Sequence, residues 1–327
     1  MNEYSIGIDI GGTKISTAII DKKGQVYHQR KFPTPNTTNK EILNLLAETV
    51  SHYERMAEEE GLHIVGVGIG TAGQVDYQNG KILSGTVNIT DWNNVDIRRI
   101  LSQTTNLPIY VDNDANTFTI AECFLGGAKG KKDVVCLTLG TGIGGGIVSG
   151  GDVIRGAWGG AAELGHFTVN FNGPPCNCGS RGCLEAYASG SGIANRMRDQ
   201  LHTISEYKHT NKEVAYYQQH PNELTSREVF EWYDAGLPEA IYVVEQTITA
   251  LSYGTVNMIH TFNPSMIIFG GGIVEVRNDL IEEVSKRINT IGISSLIKPV
   301  EIIGSQLGYN AGLIGAAYQV WLEDNRF

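Results

Sequence analysis

The sequence predicts an α/β protein built of two βββαβα halves, and three observations carry that prediction. The strand–glycine turn–strand pattern of SIGIDIGGTKISTAIIDKKGQV returns as VVCLTLGTGIGGGIVSGGDVI, with Gly11 aligning on Gly140. Apolar runs of strand length alternate with helical stripes along the chain. The 327 residues, 41% hydrophobic and 18% charged, suffice for two domains with buried cores.

The elements follow in order. SIGIDI alternates, with Ile6, Ile8 and Ile10 on one face; GGTK turns the chain into ISTAII and DKKG turns it into QVYHQRKF, a three-strand meander. In TNKEILNLLAETVSHYERMAEEEG, Thr38 and Glu41 have capping-box spacing. Ile42, Leu45, Leu46, Val50, Tyr53 and Ala57 make one apolar stripe there, and Gly61 ends the helix. HIVGVGIG and LPIYVDND are buried strands, and a helix is expected from about Ala115 to Leu125. After the second meander come a long apolar helix from about Pro238 to His260, the strand SMIIFGGG and a helix near Asp279 to Ile291. The strand PVEIIG and the helix AGLIGAAYQVWLED close the order. The polar, helical segment HTNKEVAYYQQHPNELTSREVFEWYDAG is expected to be an insertion or linker.

Composition narrows the function. A formal net charge of −10 without any basic block argues against a nucleic-acid partner. MNEYSIGIDI lacks the features of a secretory signal, and no run of about 18 apolar residues offers a membrane span. Five cysteines, odd in number and clustered, disfavour a disulfide framework and fit a reducing cytoplasm.

The first glycine loop, DIGGTK, holds Asp9, Gly11, Gly12, Thr13 and Lys14. A tight turn between strands arrays backbone N–H groups for phosphate oxygens. An ordinary hairpin explains a lone loop of this kind; Asp9, a carboxylate on an apolar strand, suggests instead a group that holds a water of Mg²⁺. The second loop, TLGTGIGGG, holds Thr138, Gly140, Thr141 and Gly142. With Gly145 it formally matches G-x-G-x-x-G, yet a hairpin follows where a dinucleotide site needs a helix, which excludes that reading. Two matching loops suit a nucleotide's phosphates better. The run FGGGIVE, with Gly270 and Gly271, either borders an adenosine pocket or makes a tight strand–helix connection.

In VDNDANTF, Asn113 and Asp114 stand where a strand gives way to a helix, suited to capping and to general-base work. Cys176, Cys178 and Cys183 lie in CNCGSRGC, where Gly179 and Gly182 allow a tight curl. His166 completes a Cys₃His set, and four protein ligands make a closed, structural zinc site. Cys123 and Cys136 suit buried thiols. Glu163 and Glu185 bracket the ligands, either as surface carboxylates or as part of a site.

Together DIGGTK, NDAN, LGTGIGGG, ELGH and CNCGSRGCLE resemble the ROK family of sugar kinases and sugar-responsive repressors, within the actin-like ATPase superfamily. The resemblance spans the chain from Ile6 to the final helix. It implies two actin-like (ribonuclease H-like) domains, residues 1–120 with 310–327 and residues 121–309, with sugar and ATP in the cleft between them. It implies Asp114 as catalytic base, and Gly73, Asn88, Asn113, Glu163, His166 and Glu185 as sugar ligands. ATP with Mg²⁺, a structural Zn²⁺ and a homodimer are implied likewise. One departure is TFTIAE after NDAN, where kinases of the family often carry small residues. The repressors carry an N-terminal helix-turn-helix; here the first strand begins by Tyr4, so a kinase is expected. The look is that of the bacterial glucokinases, whose motifs N-acetylmannosamine and N-acetylglucosamine kinases share.

Overall fold

The computed structural model describes residues 2–86, 88–201 and 212–322. β1 (Glu3–Ile10), β2 (Lys14–Asp21) and β3 (Val26–Pro33) form the expected meander, with Asp9 opposite Ser16 and Ile10 opposite Ile15. β3 is an edge strand whose side chains are largely exposed, the cations Arg30 and Lys31 among them, which discourages further pairing. α1 (Asn39–Glu60) buries Ile42, Leu46, Val50, Tyr53 and Ala57, while Leu45 is only half-buried. Thr38 is its N-cap, but the Thr38 side chain makes no cap hydrogen bond, so the expected capping box does not form. Gly61 ends the helix at φ 67°, as expected.

β4 (His63–Thr71) runs parallel to β1, and β8 (Ile109–Asn113) parallel to β4. Between them lie β5 (Gln74–Asp76), β6 (Lys81–Ser84) and β7 (Val95–Asp96), a small antiparallel sheet that the sequence did not announce, and α2 (Ile97–Leu101). α3 (Asp114–Phe124) follows β8 directly. The second half opens with β9 (Val134–Leu139), β10 (Ile143–Ser149) and β11 (Asp152–Val153). Helices α4 (Leu184–Ala188), α5 (Gly190–Leu201), α6 (Lys212–Gln219), α7 (Ser226–Asp234) and α8 (Pro238–Phe262) come next. Then come β12 (Met266–Gly270), α9 (Gly272–Val276), α10 (Asp279–Ile288), α11 (Ser294–Ile297), β13 (Glu301–Gly304) and α12 (Ala311–Tyr318).

The strand orders are β3-β2-β1-β4-β8 and β11-β10-β9-β12-β13. Numbered within its own half, each sheet has the third strand at one edge, the first in the middle and two further strands beyond it that run parallel to each other. The repeat seen between the glycine loops therefore extends to the strand order of both halves.

Packing divides the chain into two compact units. One comprises Met1–Cys136, Gly145–Ala162 and Ser305–Phe327; the other comprises Leu137–Gly144 and Glu163–Gly304. The expected boundary after residue 120 falls inside α3, which packs with α12 as one layer of the first unit. In the second unit α8 is the central helix, packed by α4, α5, α7 and α10. The polar segment expected as a linker begins at residues 209–211, outside the described residues. From Lys212 it builds α6 and α7, and α7 buries Val229, Phe230 and Trp232 against α5 and α8. It is thus integral to its unit, because apolar residues at helical spacing give it a face to bury. A complete capping box, Thr225 with Glu228, starts α7. Among the described residues no helix is long and apolar enough to cross a membrane.

Candidate active site

In the first unit the glycine turn is closed by the Gly11 N–H donating to the Lys14 carbonyl at 3.0 Å. Thr34, just after β3, braces it, its hydroxyl donating to the Gly11 carbonyl at 2.6 Å. Asp9, next to last in β1, lies beside the first turn of α12, where a Cβ on Gly312 would lie 3.4 Å from its carboxylate. Burial, then the charge of Asp114, push the Asp9 carboxyl up to about 7 against the opposing pull of Lys14. Such a group gains from a nearby cation, which fits Mg²⁺ chemistry.

Asp114 is the first residue of α3, and its neighbour Asn113 is the N-cap. The Asn113 Oδ1 accepts the N–H groups of Ala115 at 2.9 Å and Asn116 at 3.3 Å. Its Nδ2 donates to the Gly73 carbonyl at 3.0 Å. Gly73 holds that carbonyl in place from φ 110°, and a Cβ there would meet the Ser84 carbonyl at 2.5 Å. The Asp114 carboxylate accepts the Ala115 N–H at 2.9 Å. Desolvation by burial raises its proton affinity above that of an ordinary aspartate. Asn88 lies against the first glycine loop, 2.7 Å from where a Gly12 Cβ would be. Its segment is anchored by Trp92, wholly buried, whose indole donates to the Thr71 hydroxyl at 2.9 Å.

In the second unit the Gly140 N–H donates to the Gly142 carbonyl at 3.0 Å, closing the second turn. A cavity of about 900 Å³ opens here, and Gly140, Thr141, Ser191, Thr225, Phe230 and Gly272 are among its lining residues. Thr138, on β9, is half-buried. Gly270 and Gly271 are not in the cavity wall: Gly270 is buried in β12, and Gly271 packs on Leu139 of β9. The third glycine run therefore contributes through the start of α9.

The ligand atoms of His166, Cys176, Cys178 and Cys183 lie within 4.8 Å of one another. Cys176 Sγ is 3.6 Å from His166 Nδ1, and Cys178 Sγ is 3.6 Å from Cys183 Sγ. Ligands of a tetrahedral zinc with bonds of about 2.0–2.3 Å stand roughly 3.5–3.8 Å apart, so the donor set fits that ion. Burial pushes the Cys183 thiol up to about 12, whereas a hydrogen bond from the Ser180 backbone lowers that of Cys178. Thiols so close resist joint ionisation, and a dication removes the conflict. Glu163 precedes the short helical turn Leu164–His166, and Glu185 follows Cys183 by two residues in α4.

The profile of the ROK family matches residues 5–322. The chain belongs to the ROK family. It is 34% identical over 316 residues to a glucokinase of Thermotoga maritima, covering 95% of each chain. Among solved structures, the ROK hexokinase from Thermus thermophilus superposes with a TM-score of 0.79 at 33% identity, covering 98% of this chain and 99% of that one. A ROK family glucokinase from Streptomyces griseus, in complex with glucose and AMPPNP, gives a TM-score of 0.77 at 32% identity, over 97% and 98% of the two chains. The repeated sheet order is thus the actin-like, ribonuclease H-like fold expected from the sequence.

One cluster of this ROK chain escaped the sequence reading. Asp112, 1% exposed, pairs with Arg155, 11% exposed, at 2.7 Å. Its other oxygen accepts the Asn113 N–H at 2.8 Å and the Asn116 amide at 2.9 Å, and the Arg155 guanidinium stacks 4.0 Å from the Tyr77 ring centroid. Asp112 therefore steadies the strand end that carries Asn113 and Asp114. Only the acid–Asn–Asp run was visible in the sequence; the arginine is 43 residues away.

Proposed function

We propose that this ROK protein is an ATP-dependent hexose kinase that phosphorylates the 6-hydroxyl of glucose. The observation that carries this reading is Asp114: a carboxylate of raised proton affinity at a strand end, relieved of capping duty by Asn113. Asp114 takes the proton of the sugar 6-hydroxyl as that oxygen attacks the γ-phosphorus, and the bond to the β,γ-bridging oxygen breaks to release ADP. The first loop (Asp9, Gly11, Gly12, Thr13, Lys14) and the second (Thr138, Gly140, Thr141, Gly142) receive the phosphates, with the adenosine in the cavity by Gly272. Asp9 is the group assigned to the hydration shell of Mg²⁺, which supplies charge neutralisation on the phosphates.

Gly73, Asn88, Asn113, Glu163, His166 and Glu185 are assigned to the sugar. The Nδ1 edge of His166 belongs to the metal set, which leaves its Nε2 edge for a hydroxyl. His166, Cys176, Cys178 and Cys183 would hold the zinc, which would supply a structural cross-link. The relatives' glucokinase activity supports glucose as acceptor. Five free cysteines, three of them in the metal set, suit the cytoplasm. The homodimer rests on the family resemblance, and light scattering reads it directly.

A coupled ADP-release assay with glucose, N-acetylmannosamine, N-acetylglucosamine, mannose and fructose tests the proposal. Glucose is expected to give the highest kcat/KM. A higher value for an acetamido sugar would reassign the substrate, and no ADP release with any of these sugars would favour a non-catalytic sugar sensor.

A further inference from the structure

We infer that Glu185 is a positioning residue for the nucleotide: it holds the second glycine loop in its phosphate-binding shape. The inference rests on the kinase reading above and adds a second task to a residue assigned there to the sugar. The Glu185 Oε2 accepts the backbone N–H of Ile143, the residue that leaves the loop, at 2.9 Å. A Cβ on Gly142 would stand 2.7 Å from the same oxygen, so the carboxylate lies flush on the loop. The loop is held on its other members as well. The Gly190 N–H donates to the Gly140 carbonyl at 2.8 Å, and the Ser191 N–H donates to the Thr141 carbonyl at 3.3 Å. Gly165, next to His166, packs so closely on Ile143 that a Cβ would collide with the Ile143 carbonyl. Gly140 and Thr141 meanwhile line the 900 Å³ cavity.

A carboxylate beside a phosphate loop is electrostatically unfavourable for the phosphates, so its presence needs a compensating role. Anchoring supplies one. A glycine-rich turn has many accessible conformations, and a charge-assisted hydrogen bond to its exit residue removes many of them before the nucleotide arrives. Glu185 is itself fixed two residues after Cys183, within the metal set. The same carboxylate thus ties the loop to the segment that carries the metal set, the zinc knuckle. Sharing it with a sugar hydroxyl links sugar and nucleotide affinities, and that linkage is reciprocal.

The test is calorimetric binding of ADP and of adenosine, without sugar, to the full chain and to two variants. Glu185→Ala is expected to weaken ADP about 5- to 30-fold, the loss of one charge-assisted hydrogen bond, and to leave adenosine within about twofold. Glu185→Gln keeps an oxygen for the Ile143 N–H and is expected to hold ADP within about threefold of the parent. ADP affinity in folded Glu185→Ala equal to the parent's would overturn the inference and leave the kinase reading intact. So would equal losses for ADP and adenosine. If Glu185→Ala does not fold, a folded Glu185→Gln with ADP affinity reduced more than about tenfold overturns it, and retained affinity supports it. A parent that binds neither ADP nor adenosine would remove the kinase reading, and this inference with it.

Discussion

Asn113 accepts two N–H groups at the start of α3, so the cap of that helix does not depend on Asp114. Asp114→Asn is therefore expected to melt within a few degrees of the parent while kcat falls by at least about 10²- to 10⁴-fold. Thermal unfolding and turnover on one preparation check this; early melting with parental turnover would place the base elsewhere. A base must be ionised, and burial raises the Asp114 proton affinity. The parent's kcat should rise with pH along a limb above the ordinary aspartate range, and the residual activity of the variant should lack that limb. Asp9 makes a stability prediction. Its folded carboxyl is pushed up to about 7, while an unfolded aspartate titrates near about 3.9. Between those values the folded state holds more protons, so its contribution to stability is lost as pH rises through that window. The melting temperature of ligand-free Asp9→Asn should fall less than the parent's between about pH 5 and 8; equal slopes would remove Asp9 as the source.

At the scale of elements, the glycine loops and the knuckle were legible because short-range spacing determines their chemistry: a turn needs adjacent glycines, and a zinc set needs closely spaced thiols. The capping box at Thr38 had the right letters but does not form, while the one at Thr225 went unnoticed inside a segment judged by its polarity. What could not be read were partners set by the fold. Glu185 meets Ile143 across 42 residues, and Arg155 meets Asp112 across 43. Arg155→Met leaves the Asp112 carboxylate buried without its partner and should cost about 3–5 kcal/mol of stability, with partial recovery when Asp112→Asn is added. Denaturant unfolding of the three variants measures it. The knuckle should carry about one equivalent of zinc per chain after purification without added metal. Cys178→Ser should weaken glucose binding, and through Glu185 it should weaken ADP binding too. Fully active protein with less than about half an equivalent would show that the cross-link is dispensable.

Across the whole molecule, the duplicated loop already implied a duplicated half, and the common strand order bears it out. The unit boundaries were harder to see. The stretch Gly145–Ala162 packs with the first unit although it lies between parts of the second, and no change in composition marks either crossing. Interleaving of this kind follows from which faces are buried together, a property of the packed chain that local patterns do not encode. The function proposed at this scale is a single reaction, transfer of a phosphate from ATP to the 6-hydroxyl of glucose. NMR of the products formed from ATP, Mg²⁺ and glucose tests it most directly, with 6-deoxyglucose as the control. Glucose 6-phosphate and ADP in equal amounts, with no phosphorylated product from 6-deoxyglucose, is the predicted result; a phosphate on any other oxygen, or no sugar phosphate at all, would contradict the account.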